Sequence, residues 1–453
     1  MPSPFDIPEI LERIARFVSA EDALSCMLVS KAFTQAFAYP VWYQVDFNIH
    51  KKFTKTNPTA LTKYGHHTQI IKNLGDINQL HSLLYFDSPK LQNLSLSLIT
   101  DPEYLASCND LIRWSKPTLT ELQMQHPDGS TRKSQPLVTL DSLGSTAYSS
   151  QPSVLVSLSL RWLKMPRESF NVVLRSCPAL KQVDMWGTTF LAARNFIDFK
   201  HTGVLKFQAI ITDIFTNNNS NNPSPLIHFP NLICWITGSD GNIQSFPTQA
   251  VKTAVAKWCP KLKTLGSSFT SAQLLPHLIK DVFVTLSSLI LAYSNVTQDL
   301  ILAIIRVQSR WRTLKAYVPR DGYYSEFKNK GMASINDPLP NLGWVFQSLP
   351  RLCRNLEHFQ FPEHVMNMDE VEIEPWGCKN LQTLYIRFQE LDSRDAIEGA
   401  IEQWIKRRES NTTDDDKSEE TKSWETKLGE TESEEAESED TQSGEEDLGI
   451  EER

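Results

Sequence analysis

The sequence predicts an α/β chain that stacks one small helix–turn–strand unit many times, with a short helical module ahead of the stack and an acidic tail behind it. Three observations carry this. A six-residue apolar pattern, L-x-x-L-x-L, recurs between residues 91 and 391. The segments between its copies have helical periodicity. Beyond residue 408 apolar residues almost vanish and acids accumulate.

The units are "LQNLSL" from Leu91, "LTELQM" from Leu119, "LVSLSL" from Leu155, "LKQVDM" from Leu180, "LICWIT" from Leu232, "LKTLGS" from Leu262, "LSSLIL" from Leu286, "LKAYVP" from Leu314, "LEHFQF" from Leu356 and "LQTLYI" from Leu381. Successive starts differ by 28, 36, 25, 52, 30, 24, 28, 42 and 25 residues. Most steps fall near the leucine-rich-repeat period of ~20–29. The step of 52 equals two periods, and "TGVLKF" from Thr202 fills it as a degenerate unit.

Each unit should follow a helix. "PRESFNVVLRS" (166–176), "PTQAVKTAVAKW" (247–258) and "TQDLILAIIRVQSRW" (297–311) open with Pro or a Thr cap. In L-x-x-L-x-L the last two leucines alternate onto one side of a strand, and the first lies in the turn before it. One unit cannot bury this face alone, so the expected product is a curved solenoid with parallel strands on its concave side. The x positions of that side form the expected binding surface. Polar insertions at 126–153, 217–225 and 319–341 read as surface loops. The last of these mixes aromatics with Arg320, Lys328 and Lys330.

Charge divides the chain. Residues 409–453 hold 19 acidic and 4 basic residues, a net −15, whereas residues 1–408 carry a net +6. The tail should be disordered because it offers too little apolar surface to offset ordering entropy. No run approaches ~18 apolar residues, and the start "MPSPFDIPEI" lacks a signal core. A cytoplasmic or nuclear chain is expected, with no membrane partner. A body charge of +6 without aromatic-interleaved basic clusters gives no case for nucleic acid.

Nothing in the sequence points to catalysis. There is no phosphate loop, GxSxG elbow or HExxH. The seven cysteines lie at least 25 residues apart with no CxxC, so no metal site is expected. Cys177 and Cys259 precede Pro, and Cys353 and Cys378 share their phase three residues ahead of a leucine. They read as small apolar plugs under successive turns. His66-His67 should lie at the entrance to the first strand, not in a metal site. No cofactor is expected.

The first 47 residues are different. Pro8 suits a first helical turn. Ile10, Leu11, Ile14, Phe17 and Val18 form one apolar stripe, and Ser19 with Asp22 reads as a capping box for a second helix carrying Ala23, Leu24, Met27 and Leu28. A third helix should start at Ser30 with Phe33 and Phe37. Tyr39, Trp42, Tyr43 and Phe47 cluster at the join. So small a hairpin has surplus apolar surface and calls for a partner.

This segment resembles the F-box, whose pattern runs roughly L-P-x-E-I-[LV]-x-x-I, then an acidic loop, then D-L-x-x-[CA]-x-x-V-[CS]-[KR]-x-[WF]. Here it reads "IPEILERI" from Ile7 and "EDALSCMLVSKAF" from Glu21, with Ile7 for Leu and Phe33 for Trp. With the repeats, residues 5–391 resemble the F-box, leucine-rich-repeat proteins abundant in fungi. The resemblance implies an F-box module at 1–47, a leucine-rich-repeat solenoid at 48–408 and a disordered acidic tail at 409–453. It implies that Ile7, Pro8, Ile10, Leu11, Ile14, Leu24, Met27 and Val29 bind a Skp-type adaptor or hold the helices that do. The adaptor joins a cullin–RING ligase, and the repeats would hold a protein substrate for ubiquitination. The chain itself would perform no chemistry. Two other readings remain open: an adaptor-bound scaffold outside ubiquitination, and a repeat protein whose N-terminal helices only cap the stack.

Overall fold

The computed structural model describes residues 7–48, 63–84, 90–127, 135–144, 152–191, 199–210, 224–239, 248–270, 274–292, 296–317, 343–366 and 376–388, with 399 and 402. The acidic tail, the 319–341 insertion, half of the 126–153 insertion and most of the 217–225 insertion lie outside the described residues; the described half of 126–153 is not the expected surface loop, since it buries Val138, Leu140 and Leu143. The first of two compact units, Met1–Met366 with Trp376–Arg387, carries the architecture; the second is Asn367–Pro375 with Phe388–Arg453.

The fold is mixed α/β, with eleven α-helices among the described residues and one large parallel sheet. Three helices come first: α1 (Pro8–Ala15), α2 (Ala20–Met27) and α3 (Lys31–Trp42). Strands and helices then alternate: β1 (Gln44–Asp46), β2 (Ile70–Leu74), α4 (Ile77–Leu84), β3 (Asn93–Ser97), α5 (Pro102–Ser115), β4 (Glu121–Gln125), α6 (Asp141–Gly144) and β5 (Ser157–Arg161). Next come β6 (Lys164–Pro166), α7 (Arg167–Ser176), β7 (Gln182–Asp184), β8 (Thr189–Leu191), β9 (Lys206–Ile210), β10 (Cys234–Ser239), α8 (Thr248–Trp258) and β11 (Thr264–Thr270). The series ends with α9 (Leu274–His277), β12 (Ser288–Ala292), α10 (Gln298–Arg306), β13 (Thr313–Tyr317), α11 (Gly343–Leu352), β14 (His358–Met366) and β15 (Thr383–Phe388).

Thirteen strands form the main sheet in chain order, β1-β2-β3-β4-β5-β7-β9-β10-β11-β12-β13-β14-β15. A sheet with parallel neighbours in sequence order needs a crossover of constant sense at each step, and the helices supply most of these. β6 and β8 pair separately as a two-stranded parallel sheet that the leucine pattern did not announce.

The register explains the repeat. Ile71, Leu94, Leu122, Leu158, Val183, Phe207, Trp235, Leu265, Leu289, Leu314 and Phe359 form one inward row, each paired with the next and all buried. A second buried row lies in the preceding turns: Leu91, Leu119, Leu155, Leu180, Val204, Leu232, Leu262, Leu286, Trp311 and Leu356. Each such side chain contributes about 1.5–3 kcal/mol of burial, so one unit's pair supplies about 3–6 kcal/mol.

Two expected units sit in another register. Leu314 occupies the inward strand row, and Trp311 fills the turn position three residues earlier. Its indole is accommodated because Nε1 donates to the Ile304 carbonyl at 2.9 Å. The unit read from Thr202 begins at Val204, with Phe207 in the strand row. The sheet also starts earlier than the leucines do. β1 lies within the segment expected to be wholly helical, and the turn before β2 buries Thr68 where a leucine would stand.

The cysteines occupy the turns as plugs. Cys177, Cys259, Cys353 and Cys378 are buried. Cys259 Sγ lies 3.8 Å from the Phe229 carbonyl of the previous turn. Burial pushes the thiols up, to about 11 at Cys177 and about 12 at Cys259 and Cys353, so they are protonated and poor nucleophiles. Among the described residues no helix is long and apolar enough to cross a membrane.

Candidate docking surface

The N-terminal helices are set by local signals. Ile7, extended at φ −100°, precedes α1, with Pro8 in its first turn and Glu9 favourably placed there. Ser19 caps α2: its Oγ accepts from Asp22 N at 3.1 Å and donates to the Asp22 carboxylate at 2.7 Å. The expected capping box therefore forms with Asp in the acidic place, although the carboxylate takes the serine hydroxyl rather than a backbone N–H. Ser30 caps α3 through Phe33 N at 3.3 Å. Thr34 Oγ1 donates to the Met27 carbonyl at 2.6 Å and pins the α2–α3 corner.

These helices do bury a small core. Leu11, Ala15, Ala23, Ala36 and Phe37 are its centre, with Val18, Cys26, Met27, Phe33 and Val41 packed around it. Phe33 and Phe37 stack with ring centroids 5.5 Å apart. At the join Trp42 stacks on Tyr64 at 5.7 Å, Phe47 is buried, and the Tyr43 carbonyl accepts from both Gln69 N and Ile70 N. α3 thus runs directly into the sheet.

The apolar stripe read as one face is two. Leu11 and Val18 turn inward. Ile7, Ile10, Ile14 and Phe17, spaced three, four and three residues apart, turn outward. Ile7, Ile10 and Ile14 are 36–38% exposed and Phe17 is 86% exposed. From α2 and its C-terminal corner, Leu24 (56%), Leu28 (85%) and Val29 (67%) are also exposed. Of the residues that the resemblance assigns to adaptor binding, Ile7, Pro8, Ile10, Ile14, Leu24 and Val29 are therefore exposed, Met27 is half-buried and Leu11 lies in the core. Leu11 can only hold α1, not touch a partner. Phe17 and Leu28 were left out of that assignment, yet they are the most exposed large apolar residues of the module. The sequence already shows Phe17 on the apolar stripe and Leu28 on the second helix; continuing the Ile7–Ile14 spacing by three residues puts Phe17 on the outward face. Seven large apolar side chains on 23 residues are more than scattered surface hydrophobics.

The solvent face of the sheet offers different chemistry. Around β3 to β9 it carries amides and hydroxyls, including Asn93, Gln123, Gln125, Ser159 and Gln208. Its ion pair is internal: Asp184 accepts from Arg161 Nε at 2.7 Å, Ser159 Oγ at 3.1 Å and Trp186 N at 3.2 Å. Farther along, Ile236 and Ile290 flank Gly266, where a Cβ would press on Ile236.

Two groups invite a chemical reading and carry none. His66 and His67 form a 3-10 turn ahead of β2, rings 3.9 Å apart. Burial, with His66 and Lys90 nearby, lowers His67 to about 4. Thr248 Oγ1 lies 3.2 Å from His277 Nε2, whose Nδ1 is 2.7 Å from Asp281. The histidine thereby ties the start of α8 to the helical segment around α9. Among the described residues no three His, Cys, Asp or Glu side chains converge as a metal site would need. No protein-family model matches the chain, and no curated protein matches it.

Proposed function

We propose that the chain is the substrate-recognition subunit of a Skp–cullin–F-box ubiquitin ligase of the cytoplasm or nucleus. The N-terminal helices dock a Skp-type adaptor, which connects to a cullin–RING ligase. The repeated units are leucine-rich repeats of a curved solenoid that holds a protein substrate. The chain catalyses nothing itself; it supplies proximity, turning a bimolecular encounter into a near-intramolecular one.

The observation that supports this best is the split of the helical module into a closed core and a separate outward apolar face. Leu11, Ala23 and Phe37 account for the folding of the helices. Ile10, Phe17, Leu24 and Leu28 do not contribute to that core, and an exposed apolar cluster of this size marks an interaction site. A pure capping role explains α3, which abuts β1 through buried Trp42 and Phe47, but leaves the outward face of α1 and α2 without a purpose.

The test is co-purification of the full chain with a Skp-type adaptor. Ile10→Asp combined with Leu24→Asp should abolish capture while circular dichroism and melting stay unchanged. Retained capture rejects the adaptor reading. Capture with no cullin in the complex leaves only the scaffold reading.

A further inference from the structure

Basic residues gather in the segments that enter the strands at one edge of the sheet. Eight segments lead into the strands β7 and β9 to β15, at residues 177–182, 199–206, 229–234, 259–264, 283–288, 307–313, 353–358 and 376–383. They hold nine Lys or Arg and one carboxylate, Glu357. Their net +8 exceeds the +6 of residues 1–408 as a whole, so the rest of that stretch is slightly acidic.

Backbone hydrogen bonds order this edge. Lys181 N donates to Val156 O, Leu205 N to Lys181 O, Ile233 N to Leu205 O, Lys263 N to Ile233 O, Ser287 N to Lys263 O and Arg312 N to Ser287 O. One residue per strand therefore lies beside the next, at about 4.8 Å spacing. The row reads apolar, basic, apolar, apolar, basic, polar, basic. Val156, Leu205 and Ile233 are each 36–41% exposed, and Lys181, Lys263 and Arg312 are exposed. Lys206 and Lys261 flank the row, Lys261 Nζ reaching Asn231 Oδ1 at 2.8 Å. Arg312 pairs with Glu357 at 3.0 Å, whereas Lys181, Lys206 and Lys263 form no ion pair among the described residues.

The spacing argues for the class of ligand. Within the row Lys181 and Lys263 are three strands apart and Lys263 and Arg312 two, about 14 and 10 Å. Those separations exceed the Debye length of about 8 Å at physiological salt. Within the row itself apolar side chains fill the places between the cations, and Lys206 and Lys261 add positive charge beside Lys181 and Lys263. A nucleic-acid backbone would meet Leu205 and Ile233 where it needs cations, and the row offers no aromatic ring for base stacking. A single phosphate group wants converging arginines, not lysines strung along an edge.

We propose that this edge binds an extended acidic peptide segment, with two carboxylates four residues apart over Lys181 and Lys263 and one apolar side chain midway between them over Leu205 and Ile233. From Val156 to Arg312 the row crosses six strand steps, about 29 Å, which spans about nine extended residues. The proposal names the chemistry of the substrate in the receptor reading and rests on that reading only for the word substrate.

The experiment is fluorescence anisotropy of the full chain with a labelled nine-residue peptide whose centre reads Asp-Ser-Leu-Ser-Glu, which puts Asp, Leu and Glu on one face of the extended chain. Binding should weaken steeply between about 50 and about 300 mM salt. Lys181→Glu with Lys263→Glu should weaken it at least about tenfold and flatten the salt dependence. Leu205→Ser with Ile233→Ser should weaken it about tenfold and leave the salt dependence intact. Lys181→Glu with Lys263→Glu should melt like the parent chain, and both pairs, assayed below the melting temperature of the serine pair, should still capture the adaptor. No binding at about 1 mM peptide, equal binding by both variants, or tighter binding of a single-stranded oligonucleotide that displaces the peptide each overturns the proposal. Loss of adaptor capture by the parent chain with peptide binding retained strikes the receptor reading alone.

Discussion

Leu24→Ser combined with Leu28→Ser separates docking from folding at the N-terminal helices. Both leucines are largely exposed, at 56% and 85%, and together offer about 1.4 whole side chains of burial to a partner, or about 2–4 kcal/mol. Their loss should raise the adaptor Kd by about 30- to 1,000-fold. Melting of the free chain should not change, because substitutions away from buried contacts cost under about 0.5 kcal/mol. Leu11→Ala is the counterpart. Leu11 is 1% exposed, so its truncation should cost the module about 2–5 kcal/mol and speed hydrogen exchange of α1 and α2. Its effect on adaptor affinity then comes only through unfolding and recovers at lower temperature. The measurements are isothermal titration with purified adaptor and amide exchange of the free chain. If the Leu24/Leu28 pair destabilises the free chain as Leu11→Ala does, that face is internal packing and the docking argument fails. Unchanged affinity refutes it equally.

Two further outcomes follow from local geometry. His67 is held neutral in the folded chain at about 4, against about 6.5 when unfolded. Its contribution is complete above about pH 6.5 and is lost as pH falls towards 4, because the unfolded chain takes up the proton first. His67→Gln should therefore flatten the dependence of the urea midpoint on pH in that window, and an unchanged slope would remove His67 as a cause. At Gly187 the backbone is left-handed, φ +66°, and an added Cβ would run into the Trp162 ring. Gly187→Ala should cost about 2–4 kcal/mol from conformational strain and overpacking together, read as a lower urea midpoint by tryptophan fluorescence; an unshifted midpoint would show that the β7–β8 turn rearranges freely.

The strand pattern was legible because its physics is local. Alternation fixes which side chains face inward, and a period near one helix plus one strand fixes the stack. The helices at 166–176 and 247–258 appear as α7 and α8 almost as read, with Pro166 as the N-cap of α7 rather than in its first turn. The segment at 297–311 is divided, α10 ending at Arg306 before a 3-10 turn at Gln308–Arg310. Register failed where another residue does leucine's work. Trp311 fills the turn position because a neighbouring carbonyl satisfies its indole. Thr68 fills another, and its short hydroxyl side chain gives no apolar signal. The β6–β8 pair was illegible because each strand is three residues long, too short for alternation to register.

The N-terminal helices show why amphipathicity alone could not assign the docking residues. Successive helical positions differ by about 100°, so the adjacent Ile10 and Leu11 cannot both face a core as narrow as this one. A single stripe including both had to contain two faces, and only the packing of α3 decides which is which. Leu11 and Ala15 turn towards Phe37, which leaves Ile10, Ile14 and Phe17 outside. The basic edge is the opposite case. Its lysines and arginines lie scattered through 200 residues, and a body charge of +6 gave them no weight. Parallel pairing in chain order puts the same turn position of every unit beside its neighbour, so residues 24 to 45 apart in sequence become adjacent in space. The two surfaces differ in kind for that reason. The apolar face of α1 and α2 is written within 23 consecutive residues, whereas the basic edge exists only once the strands are in register.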